Sequence, residues 1–108
     1  MNINQARINE LACLLGDGLQ NVIQEYLASS QQVIELIQAS HEQQDLEAMC
    51  HYLHRLKGSS ANLGVEYVSD ACYALEREIR TNGAVGSIQR VRDIERILKT
   101  AWQQLQQD

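Results

Sequence analysis

The chain has no proline and no phenylalanine, and only six glycines in 108 residues. Without proline, nothing obliges a helical hydrogen-bond ladder to break, and the plentiful Ala, Leu, Gln and Glu favour helix throughout. No apolar run approaches the roughly eighteen residues that a membrane helix needs. The N-terminus lacks a basic segment followed by an apolar core. A soluble, cytoplasmic chain with no membrane partner is expected, although a terminal domain of a larger membrane-bound protein would read the same way. Positive charge is also scarce. Nine Lys and Arg face fourteen Asp and Glu, a formal net charge of −5, which argues against a nucleic-acid partner. There is no CxxC pair. Cys13, Cys50 and Cys72 are odd in number, far apart, and each set in an apolar pattern, so they read as small buried hydrophobes in a reducing compartment. No acidic cluster or glycine-rich loop offers a nucleotide or metal site of its own.

What is present is helical periodicity. Apolar residues make up 44% of the chain, ordinary for a globular protein, and 108 residues suffice for one domain with a single core. Residues 4–15 place Ile8, Leu11, Ala12, Leu14 and Leu15 in a short helix, which Gly16-Asp17-Gly18 ends, with Asp17 as the expected cap of the next. Over residues 18–39, Leu19, Val22, Ile23, Tyr26, Leu27, Ser30, Val33, Ile34 and Ile37 keep helical spacing. Gln20, Gln24, Gln31, Gln32 and Gln38 lie opposite them. A polar connection from Ser40 to Gln44 leads to Asp45, the expected cap of a third helix, which ends at Gly64. Residues 65–81 repeat Val68, Cys72, Leu75 and Ile79. Thr81-Asn82-Gly83 breaks that helix. Ser87 is the expected cap of a last one carrying Ile88, Val91, Ile94, Leu98, Ala101, Trp102 and Leu105. No segment alternates as a strand would, and the only biased tract is the glutamine-rich tail. Four long helices with short polar connections imply an all-α fold, an antiparallel up-and-down four-helix bundle, with an additional short N-terminal helix lying across one end.

The third helix carries the chemistry. Leu46, Met49, Leu53, Leu56, Ser60 and Leu63 form its apolar stripe. At about 100° per residue, His54 lies roughly 120° off that stripe, where its ring reaches solvent. Lys57 and Gly58 follow at i+3 and i+4, neighbouring it on the helix surface. A glycine inside a helix costs about 1 kcal/mol relative to alanine, and a local rule broken beside an exposed histidine suggests a functional constraint. A neutral imidazole is a nucleophile near neutral pH. In-line attack on a phosphoryl group needs open space over one ring nitrogen, which Gly58 provides. Lys57 supplies positive charge for the phosphoryl oxygens. The other ring nitrogen needs an acceptor to set the tautomer, and Glu76 on the next helix is the best candidate. Residues 1–44 carry one Arg against five acids, whereas residues 54–58 hold Arg55 and Lys57 with no acid. A basic spot on an acidic body suits transient docking to an acidic pocket.

His54-x-Leu56-Lys57-Gly58-Ser59, then Asn62-Leu63-Gly64, then Leu75-Glu76, resembles the signature of histidine-containing phosphotransfer (HPt) domains. The resemblance spans about residues 54–76, and the helical layout fits nearly the whole chain as a single domain. It implies a helical bundle whose histidine takes a phosphoryl group from a receiver-domain aspartate or a sensor kinase and passes it on. It implies His54 as the phosphoacceptor, through Nε2, with Lys57 flanking it. Glu76 takes the position that varies between Gln and Glu in the family and orients the ring. The implied partners are response-regulator receiver domains and a hybrid sensor histidine kinase. Mg²⁺ is expected on the receiver, the chain is expected to be a monomer, and no kinase or ATPase activity of its own is expected.

Each residue also has a plainer reading. An isolated surface histidine is most often idle, but Lys57-Gly58 and the resemblance assign His54 a role. His51, three residues earlier, either tunes the site or, as favoured, is solvated, and His41, expected in a loop, carries no signal. His51 and His54 with Cys50 make only a weak metal signal without a third ligand. Lys57 could simply snorkel at the core edge. Glu76 falls on the inward-leaning side of its helix and needs a partner, either His54 or Arg80 at i+4; His54 is favoured. Arg77 and Arg80 widen the positive surface or are merely solvated, and Ser59 and Ser60 are small residues with no nucleophilic role. Two other functions fit the pattern. One is a non-catalytic module that docks a receiver without transfer. The other is the phosphoacceptor domain of a larger kinase.

Overall fold

The computed structural model describes residues 1–83 and 86–106, and its described residues form helices joined by short turns. They are α1 (Gln5–Leu15), α2 (Gly18–Glu42), α3 (Leu46–Asn62), α4 (Glu66–Asn82) and α5 (Ser87–Gln106). Gln107 and Asp108, the end of the glutamine-rich tail, lie outside the described residues. The long axis of the molecule is 42 Å against 20 and 19 Å across it. At 1.5 Å per residue α2 alone is about 37 Å long, so this one helix sets the length.

Local chemistry explains most boundaries. Asn4 caps α1 through its side-chain oxygen, which accepts from the Arg7 amide at 3.1 Å. Gly16, at φ +54°, turns the chain out of α1 while its N–H donates to the Ala12 carbonyl. The cap expected from Asp17 does not form. Asp17 is itself in helical conformation (φ −63°, ψ −20°) and its carboxylate makes no capping bond. A capping side chain reaches back to the helix amides from an extended backbone, which Asp17 lacks because the glycine before it has already made the turn. Asp45 does cap α3, accepting from the Ala48 amide at 3.1 Å.

α2 runs three residues past the expected end at residue 39. Ser40 was expected in the polar connection, yet it is buried, with its hydroxyl donating to the Leu36 carbonyl at 2.8 Å. A serine that satisfies itself on the preceding turn can stay in a helix. The turn therefore begins later and uses Gln44 at φ +59°. Ser87 is the first residue of α5, not the residue before it, and it is buried.

The core is drawn from the stripes read from the periodicity. Leu14, Leu15 and Ile88, also expected on them, are exposed, because each lies at the end of its helix, where no neighbouring helix covers it. Ile34 and Ile37 from α2, Met49, Leu53 and Leu56 from α3, Val68, Cys72 and Leu75 from α4, and Val91 and Leu98 from α5 are almost completely buried. α2 packs on α3, α3 on α4, α4 on α5, and α5 returns to α2. Polar ties cross this core. Tyr26 Oη and Ser60 Oγ are 2.7 Å apart, joining α2 to α3, and Trp102 Nε1 donates to Ser30 Oγ at 2.8 Å, joining α5 to α2.

α1 meets the turn between α3 and α4. The Asn4 amide donates to the Gly64 carbonyl at 2.8 Å, and Arg7 Nε donates to the Asn62 carbonyl at 2.9 Å. Gly64 sits at φ +77°, and a Cβ there would come within 3.0 Å of the Asn4 carbonyl oxygen. Of α1 only Leu11 is buried, so the expectation that all three cysteines are buried is corrected: Cys50 and Cys72 are, and Cys13 is exposed. Two residues on a helix are about 200° apart, so with Leu11 inward Cys13 faces out. Among the described residues no helix is long and apolar enough to cross a membrane.

Candidate functional site

α3 buries Leu53 and Leu56 completely and turns His54 outward between them, leaving 67% of its side chain exposed. The 3.6-residue period places it there: a residue next to the buried stripe in sequence lies well off it in space. Gly58 is one turn on, helical and exposed, and a Cβ built there meets nothing within 4 Å. The surface over His54 is therefore open on that side, and the fold itself does not require the missing side chain.

α4 faces α3 and brings Glu76 to His54. Glu76 is buried, yet it has one committed partner: Oε2 accepts from Arg80 at 3.0 Å through a terminal guanidinium nitrogen and at 3.3 Å through Nε. Its other oxygen, Oε1, lies 3.8 Å from His54 Nδ1. That is close enough for charge attraction and too long for a hydrogen bond. The expectation that favoured His54 over Arg80 as the partner of Glu76 is corrected: Arg80, one turn on in the same helix, holds its hydrogen bonds, and His54 stands only within ion-pair reach. The Nδ1 edge thus faces α4, and Nε2 is the other nitrogen of a mostly exposed ring.

Lys57 is half-buried, and its ammonium lies 5.2 Å from the centroid of the Tyr73 ring on α4. Arg77 approaches the same ring, with Cζ at 5.8 Å. Arg55 lies 5.9 Å from the Tyr52 ring, and His51, exposed, meets Tyr52 edge-on at 5.3 Å. Tyr73 carried no signal in the periodicity, because an aromatic residue off the buried stripe looks like any exposed residue. Its spacing, three residues before Glu76 and four before Arg77, marks it as their neighbour on the helix surface.

The thiols below the site are held neutral. Burial pushes the Cys72 thiol up to about 12, with nearby Glu76 adding to the rise and Lys57 opposing it. Burial also raises Cys50, against Arg80 and with Glu76. Neither offers a thiolate nucleophile at neutral pH. His41 is not in the loop expected of it but in the last turn of α2, which runs on past residue 39. Ser60 is buried on Tyr26, and the Ser59 hydroxyl donates to the Leu56 carbonyl at 3.3 Å. Among the described residues no group of three or more His, Cys, Asp or Glu is placed to hold a metal ion.

The arrangement is a mostly exposed imidazole with a carboxylate behind one nitrogen and cations on the same face of the helix pair. A cleft of about 650 Å³ lies elsewhere, lined by Ile3, Ile8, Leu19, Ile23 and Leu105 among others, and His54 does not line it. A ring this exposed is better placed to meet the surface of another macromolecule than to enclose a small molecule. The family model described as Hpt domain matches residues 21–108. No curated protein and no solved structure gives a significant match to the chain.

Proposed function

The chain belongs to the Hpt domain family, and from this membership we propose that His54 carries a phosphoryl group between the aspartates of receiver domains in a phosphorelay. The observation that carries the reading is the 67% exposed His54 side chain one helical turn from the open surface of Gly58. In the forward step the Nε2 lone pair forms the N–P bond as the O–P bond to the receiver's aspartate breaks, and that electron pair returns to the carboxylate. The proton stays on Nδ1, and the positive charge that develops on the ring faces Glu76 Oε1. Run in reverse, with a second receiver, the same step discharges the domain. Lys57 lies beside the phosphoryl oxygens throughout, and Glu76, anchored by Arg80, orients the ring.

The receiver brings the Mg²⁺ and most of the electrostatic catalysis, while this chain brings the nucleophile. A hybrid sensor kinase is the upstream phosphodonor, and the domain acts as a monomer in the cytoplasm. The small number of residues between consecutive helices from α2 to α5 and the closed order of their packing support an antiparallel up-and-down arrangement. Incubation with a phosphorylated receiver domain is expected to label the wild type and leave His54→Gln unlabelled. Equal labelling of the two proteins ends the assignment.

A further inference from the structure

We propose that Tyr73 is a positioning residue for the transfer: its ring holds the Lys57 ammonium beside His54 without neutralising it. The inference rests on the reading of His54 as phosphoacceptor and adds to it the device that keeps the cation in place.

A lysine head on a flexible four-carbon stem samples many positions unless something holds it. The obvious holder across from α3 is the Glu76 carboxylate, but Arg80 occupies its Oε2. Among the described residues no carboxylate forms an ion pair with Lys57; its ammonium rests instead 5.2 Å from the Tyr73 centroid. The difference matters chemically. A carboxylate partner would cancel the charge needed at the phosphoryl oxygens and would have to be displaced. A ring face attracts a cation through its quadrupole, weakly at an exposed site, and leaves the N–H donors free for a stronger charge-assisted bond to phosphate. Arg77, with Cζ 5.8 Å from the same ring, adds a second cation.

The core does not account for Tyr73. The buried apolar residues of α4, Val68, Cys72, Leu75 and Ile79, are at most 5% exposed, whereas Tyr73 is 48% exposed. A large aromatic left in solvent with two cations on it is placed for the site.

The test compares Tyr73→Phe, which keeps the ring, with Tyr73→Leu, which keeps apolar bulk only, each alone and combined with Lys57→Ala. The phosphodonor is a receiver domain of the same organism, charged with acetyl phosphate. Tyr73→Phe is expected to transfer at the wild-type rate. Tyr73→Leu is expected to lower the saturating transfer rate about two- to fivefold, the rate equivalent of an exposed cation–π contact, and to cause no further loss in the Lys57→Ala background. In NMR spectra the Lys57 ε-methylene protons, shifted upfield by the ring in the wild type and in Tyr73→Phe, should return to random-coil positions in Tyr73→Leu. If Tyr73→Leu raises only the half-saturating receiver concentration, or its effect adds fully to that of Lys57→Ala, the positioning role is overturned. Labelled wild type with an equally fast Tyr73→Leu overturns this inference alone. Unlabelled wild type overturns the phosphoacceptor reading and this inference with it.

Discussion

At the scale of single residues, Gly58 separates folding from function most cleanly. It lies inside α3, where glycine is a poor helix former, and a Cβ there meets nothing within 4 Å. Gly58→Ala is therefore expected to raise stability, by up to about 1 kcal/mol from helix propensity and reduced unfolded-state freedom. The same methyl group narrows the approach to His54, so transfer from a phosphorylated receiver should slow. Thermal denaturation and a labelling time course check the two halves; a variant that is both more stable and equally fast would remove Gly58 from the site. Glu76 illustrates what residue spacing alone left open. Its inward lean and its two possible partners were legible, but only the packing of α4 on α3 divides its oxygens, one bonded to Arg80 and one 3.8 Å from His54.

At the scale of elements, the helix caps distinguish a residue type from its geometry. Asp17 and Asp45 look alike in sequence, each an aspartate before an amphipathic helix. Asp45 is non-helical (φ −90°, ψ 87°) and accepts from the Ala48 amide, while Asp17 is helical and accepts from no helix amide. Asp45→Ala is expected to cost about 1 kcal/mol, the usual worth of a cap, and Asp17→Ala to stay within about 0.5 kcal/mol of wild type. Urea unfolding of the two variants measures the difference, and equal losses would contradict it. Helix existence and type were legible because burial imposes a 3.6-residue period on the sequence. Ends were less so, because they depend on backbone angles at one or two residues, as Gly16 pre-empting Asp17 shows.

At the scale of the whole molecule, the core contains titratable groups that folding keeps protonated. Burial is the main cause for both Cys72, pushed up to about 12, and Tyr26, whose hydroxyl is also raised. The unfolded chain would release these protons near the ordinary values of 9.0 for the thiol and 10.0 for the phenol. The folded state binds them more tightly, so their contribution is fully present below those values and is lost progressively as pH rises from them toward the raised values of the folded state. Stability is expected to hold to about pH 8 and to fall steadily above pH 9. Denaturation midpoints across that range check this, and Cys72→Ala, though less stable at neutral pH, should show a shallower alkaline decline. A curve with the same slope for both proteins would place the linkage elsewhere.

By itself the amino-acid order determined the helical class, the buried stripes, and the His54-Lys57-Gly58 grouping, because all three depend on the fixed rotation of one residue to the next within a single helix. Tertiary structure alone decided that the face of α1 carrying Cys13 lies in solvent, that Glu76 Oε1 stands 3.8 Å from His54, and that Lys57 rests on Tyr73. Those outcomes depend on how separate helices face one another, and that is set by the packing of side chains distant in the chain, which no local spacing encodes.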